Sequence, residues 1–67
     1  MSPAQFRAWR KRLFGSQRAA ADALGLSART IALYEAGERE GREVVIPKAV
    51  RLAMASVALG VTDYDGG

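Results

Sequence analysis

Glycine and serine punctuate this chain at intervals so short that only small helices fit between them. Gly15-Ser16, Gly25-Leu26-Ser27 and Gly37 each close one segment, and the first two also open the next. A glycine after the last apolar position supplies the left-handed backbone that ends a helix. A serine oxygen bonds the unpaired N–H groups of the following first turn. Ser2-Pro3 opens the chain in the same way, with serine as cap and proline at the first helical position, where its missing N–H costs nothing. The punctuation predicts helices over about 3–14, 17–24 and 28–36, and a fourth from Ile46-Pro47 over about 47–59, stopped by Gly60. Phe6, Trp9 and Leu13 form one apolar stripe on the first helix, with Arg7, Lys11 and Arg12 off it. The Ala19-Ala20-Ala21 run lets a neighbouring helix approach the second closely. Glu38 to Val45 carries charges and Gly41 and reads as a loop, in which Glu43-Val44-Val45 could run extended. No segment shows convincing strand alternation. The expected fold is all-α, a single domain of four to five helices over 1–67, with a tail over 61–67 frayed at its Gly-Gly end.

With 67 residues, the chain holds one small core. A domain of this size buries only about 60% of its unfolded surface, so its stability alone is marginal. It has no cysteine and no histidine, which removes disulfides, thiolate or imidazole metal sites and the commonest nucleophile–base pairs. There is also no phosphate loop and no pair of carboxylates in a plausible cleft, so neither an enzyme nor a metal or cofactor is expected. Arg7, Arg10, Lys11 and Arg12 interrupt Phe6–Phe14 and rule out a signal-peptide pattern there. Ala49–Val61 is too short to span a bilayer and contains Arg51. A soluble cytoplasmic, nucleoid-associated protein is the expectation.

Charge is unevenly distributed. Residues 1–34 carry Arg7, Arg10, Lys11, Arg12, Arg18 and Arg29 against Asp22 alone, whereas residues 35–67 carry more acidic than basic side chains. One half suits a polyanion and the other something else.

The informative stretch is Ser16 to Gly37. Two short helices are joined by Gly25-Leu26-Ser27, with Ala20 at the crossing and Leu24, Leu26, Ile31 and Tyr34 available to bury between them. A short glycine-containing turn between two helices is the pattern of a helix-turn-helix, whose second helix enters the major groove. The Ser16-Gln17 opening, the alanine at the fourth position of the helix, the Leu24-Gly25-Leu26-Ser27 turn and the Tyr34-Glu35-Ala36-Gly37 ending resemble the phage repressor/Cro (XRE-type) family. Trp9-Arg10 upstream and the proline-led fourth helix ending in Leu59-Gly60-Val61 extend the resemblance over nearly the whole chain.

The resemblance implies roles. Gln17 would dock the helix N-terminus on a DNA phosphate, at a place where the free N–H groups and the helix dipole suit an anion. Arg10 would bond Glu35, locking the recognition helix while staying near DNA as a further phosphate contact. The positions that reach base edges correspond to Ala28, Arg29 and Leu33, with Ala32 on the same face. This departs from the glutamine-rich helices of familiar members and leaves Arg29 as the one strong hydrogen-bonding base reader. Ala28, Ala32 and Leu33 would read thymine methyls by apolar contact. Arg18 and Thr30 are further candidates for phosphate contact, Thr30 with its own backbone as the competing partner. Arg39 and Arg42 follow the recognition helix where the family touches flanking backbone, although this loop is longer than the commonest form.

The fourth helix is apolar over an arc of roughly 200°, against the ~100° a surface helix needs. Ala49, Leu52, Ala53, Ser56 and Leu59 lie on one side; Val50, Met54, Val57 and Val61 form an adjoining stripe. The expectation assigns the Leu52 side to the core and the Val50-Met54-Val57-Val61 stripe to a homodimer interface, with cover by a tail folded back at Tyr64 as the alternative. The function these features imply is a dimeric, sequence-specific double-stranded DNA-binding repressor reading a palindromic operator. The alternatives are an antitoxin whose fourth helix binds a toxin, and a helix-turn-helix scaffold that binds only protein.

Overall fold

Residues 1–66 are described by the computed structural model, which runs α1 (Pro3–Leu13), α2 (Gln17–Leu24), α3 (Ala28–Ala36), β1 (Glu38–Arg39), β2 (Arg42–Glu43) and α4 (Lys48–Ala58). Three serines start the first three helices. Ser2 Oγ accepts from Gln5 N–H at 3.1 Å while Ser2 N–H donates to Gln5 Oε1 at 2.7 Å, a reciprocal capping box. Ser16 Oγ accepts from the Ala19 N–H and Ser27 Oγ from the Thr30 N–H, each at 3.1 Å. Gly25 closes α2 at φ +71°, and the Leu26 N–H returns to the Ala21 carbonyl at 2.9 Å. The same carbonyl also accepts from the Gly25 N–H, so the turn closes back onto the helix end through two donors.

The core lies where α1, α2 and α3 meet and α4 closes over them. Phe6, Ile31 and Met54 are its largest fully buried side chains, joined by Trp9, Ala21, Tyr34 and Ile46. Phe6 meets Tyr34 edge-on, with ring centroids 5.5 Å apart and planes at 74°, which ties α1 to α3. Ala20 is completely buried, so a larger side chain there would separate α2 from its neighbours.

The structure corrects the sequence-based expectation at three places. First, the chain is mostly helical but carries a two-stranded antiparallel hairpin, with Glu38 opposite Glu43 and Arg39 opposite Arg42. Extended structure therefore starts directly after α3, and the hairpin occupies the stretch read as a loop. Second, α1 stops at Leu13. Phe14 leaves the helix with extended backbone and lays its ring 5.7 Å from that of Trp9, while Leu13 turns to solvent.

Third, the two sides of α4 are exchanged. Met54 is 2% exposed, and Val50 and Val57 are half-buried against the core; Leu52 is 61% and Leu59 83% exposed. Ile46, buried just before the helix, sets this rotation. With Ile46 anchored, Val50, Met54 and Val57 follow on the same helical face. Met54 is thus a core side chain rather than the dimer contact assigned to it, Val50 and Val57 are half-buried against the core, and only Val61 of that set is exposed. Val61 follows a glycine-closed end in which its N–H donates to the Ser56 carbonyl at 2.9 Å. Tyr64, expected in the alternative reading to fold back over the Val50-Met54-Val57-Val61 stripe, is itself exposed, and Leu52 and Leu59 on the other side of α4 are exposed as well. The expected fraying of the tail concerns, at Gly67, a residue outside those described.

Candidate nucleic-acid interface

The site is built around one carboxylate. Glu35, in the last turn of α3, is gripped by Arg10 of α1: Arg10 Nε donates to Oε2 at 2.8 Å and a terminal guanidinium nitrogen to Oε1 at 3.1 Å. Both side chains are about nine-tenths buried. Two parallel N–H···O bonds fix direction as well as distance, so the pair sets the angle between α1 and α3. The Arg10 bonds hold the Glu35 carboxyl below its usual range against an opposing effect of burial, and the polar Gln17 side chain nearby lowers it further. The same bond with Glu35 raises the Arg10 guanidinium above its ordinary value.

Each residue singled out in the sequence has a definite place here. Gln17 opens α2, half-buried. Arg10 is committed to Glu35 and presents little surface to any other anion. Arg18 is exposed on the first turn of α2. On α3, Arg29 is exposed, and Ala28, Ala32 and Leu33 are half-buried beside it; Ile31 and Tyr34 face the core. Ala28 also packs against the core cluster, which limits how far it can reach outward. The Thr30 hydroxyl lies 2.9 Å from Ser27 Oγ, a local partner at the helix cap. Arg39 and Arg42 lie on the hairpin, both exposed.

Sequence reasoning missed Arg7. Its Nε stands 3.8 Å from Glu35 Oε1, and 59% of its side chain is exposed. Arg10 has already taken both carboxylate oxygens in short bonds, so Arg7 is a loosely held second cation at the edge of the site. The signal was available: residues three apart on a helix are surface neighbours, and Arg7 stands three before Arg10.

Among the described residues, no group of three or more His, Cys, Asp or Glu side chains is placed to hold a metal ion. No helix among them is long and apolar enough to cross a membrane. Compared with known proteins, the chain matches no family model, no curated protein and no solved structure.

Proposed function

We propose that this chain is a sequence-specific double-stranded DNA-binding transcriptional regulator that acts as a dimeric repressor. In this reading α2 and α3 form a helix-turn-helix, and α3 enters the major groove with Arg29 against a guanine and Ala28, Ala32 and Leu33 against thymine methyls. Gln17, Arg18, Arg39 and Arg42 hold the flanking backbone, with Arg7 as an addition. The observation that carries the reading is the pair of hydrogen bonds from Arg10 to Glu35. It spends a buried ion pair on the orientation of one short helix whose outward polar side chain is a free arginine.

A single such domain reads only a few base pairs, too few for a useful specificity ratio across a genome. Two copies related by a two-fold axis meet that need and imply a palindromic operator with half-sites about 10 base pairs, or about 34 Å, apart. The surface available for the pairing is the outer face of α4, where Leu52, Ala55 and Leu59 line up exposed at helical spacing, with Val61 beyond the helix end.

The deciding experiment is selection of bound sequences from random duplex DNA. A palindromic site with one dominant guanine per half-site is the expected result; recovery of no enriched site removes the proposal.

A further inference from the structure

The register of the hairpin sets like charges face to face. Arg39 stands opposite Arg42, and Glu38 opposite Glu43. Successive side chains on a strand point to opposite faces, so the two arginines share one face and the two glutamates the other. Directly opposed like charges weaken an antiparallel pair. The turn adds a further cost. Glu40 at φ +52° and Gly41 at φ +78° both occupy positive φ, as a two-residue type I′ turn requires, yet Glu40 is the sole non-glycine residue in that region among those described. Among the described residues, none of the hairpin's charged side chains forms an ion pair. What holds the hairpin is its base. The Val44 N–H donates to the Gly37 carbonyl at 3.0 Å, and Val44 and Ile46 pack into the core. A segment whose local preferences oppose its own conformation is where a functional constraint is expected.

We infer that Arg39 and Arg42 form a single two-pronged clamp for one phosphodiester of the DNA backbone, and that this anion removes the repulsion opposing the hairpin. The inference rests on the DNA-binding reading and adds that the two arginines act as one unit on one phosphate rather than as separate contacts. Side chains directly opposite across an antiparallel pair have Cβ atoms about 4.5–5.5 Å apart, close enough for two guanidinium forks to converge on one set of phosphate oxygens. Glu38 and Glu43 face away and do not repel it. Only Gly37 separates α3 from β1, so the clamp fixes the backbone at the C-terminal end of the reading helix.

The test titrates the wild type, Arg39→Ala, Arg42→Ala and the double variant against a short duplex carrying the selected site, over a range of salt concentrations. A clamp predicts that the slope of log K on log salt falls by about 0.9, one phosphate's worth, in the double variant, and by clearly less in either single variant, where the remaining arginine still meets the same phosphate. A double variant that loses about 1.8, with about 0.9 lost in each single variant, overturns the clamp in favour of two separate contacts, and an unchanged slope in the double variant overturns it altogether. Losses confined to duplexes with A·T-rich flanks overturn it as well, because they place the guanidiniums in a narrow minor groove. Amide chemical shifts followed during titration with inorganic phosphate give an independent readout. The Arg39–Arg42 amides are expected to move in the wild type and not in the double variant. If the wild type binds no duplex, the DNA-binding reading fails, and the phosphate titration alone then decides the clamp, with unmoved amides overturning it.

Discussion

The ring of Pro3 occupies the space where residue 37 would carry a side chain: its Cγ stands 2.6 Å from the position a Cβ on Gly37 would take. Gly37 also sits at φ +82°, closing α3 and leading into the hairpin. The start of α1 and the end of α3 therefore meet at a point where glycine is required for two separate reasons.

Gly37→Ala is expected to destabilise the domain more than Gly25→Ala. Both positions have positive φ, which costs a residue with a Cβ roughly 1–2 kcal/mol. A Cβ at Gly25 meets nothing within 4 Å, whereas at Gly37 it meets the proline ring. Thermal melts of the two variants measure the difference, at about 4–8 °C per kcal/mol for a domain of this size. Equal melting temperatures would show that Pro3 moves aside freely.

Acid should weaken the fold through Glu35. Its carboxyl is held below its ordinary value of 4.5, chiefly by Arg10. The stabilisation is fully present above that ordinary value and is lost as pH falls through the lower folded-state value. Melting curves from neutral to strongly acidic solution should show this loss in the wild type and a flatter dependence in Glu35→Gln. Arg10→Ala should lower the melting temperature at neutral pH, because it leaves the Glu35 carboxylate buried without its main partner.

The two sides of α4 should respond differently to truncation. Met54→Ala empties a buried site and is expected to cost about 2–5 kcal/mol, a large part of what so small a domain holds. Leu52→Ala removes an exposed side chain and should stay within about 0.5 kcal/mol for the monomer. Chemical denaturation at low protein concentration separates the two, and the reverse order would restore the Leu52 side as core.

Arg29→Ala should lose about 1–3 kcal/mol on the selected site and relax preference at one guanine per half-site. Gln17→Ala should weaken binding to all sequences alike, because the proposed reading gives it a phosphate to hold and no base to read. Equal losses for Arg29→Ala on selected and scrambled duplexes would make Arg29 a phosphate contact instead.

Leu59→Glu should break the proposed two-fold pairing without unfolding the domain, since Leu59 lies outside the core. Sedimentation equilibrium should show a dimer for the wild type and a monomer for the variant, with operator affinity falling sharply. A wild type that stays monomeric at high micromolar concentration removes the pairing.

The helix boundaries were legible because their causes are local. Ser2, Ser16 and Ser27 bond the first turns that follow them, and Gly25 and Gly37 take the left-handed backbone their positions demand. The hairpin was not legible. Its strands have two residues each, too few for alternation to register, and its charges argue against the pairing they adopt. The rotation of α4 was equally out of reach, because Leu, Val, Met and Ala surround most of that helix. The choice between its two sides is made by Ile46, through tertiary packing that no window within the helix contains. The Arg10–Glu35 pairing spans 25 residues and has no periodic signal; resemblance to a family was the only route to it.

Glu35 belongs to α3 and Arg10 to α1, so one buried carboxylate ties these two helices together. Such a tie opposes any partly open form in which α1 frays while α3 keeps its angle. The central amides of α1 and α3 should then exchange their hydrogens together, as members of a single cooperative unit. A variant that weakens either helix dilutes the folded population and leaves the outer face of α3 unaltered in the molecules that remain folded.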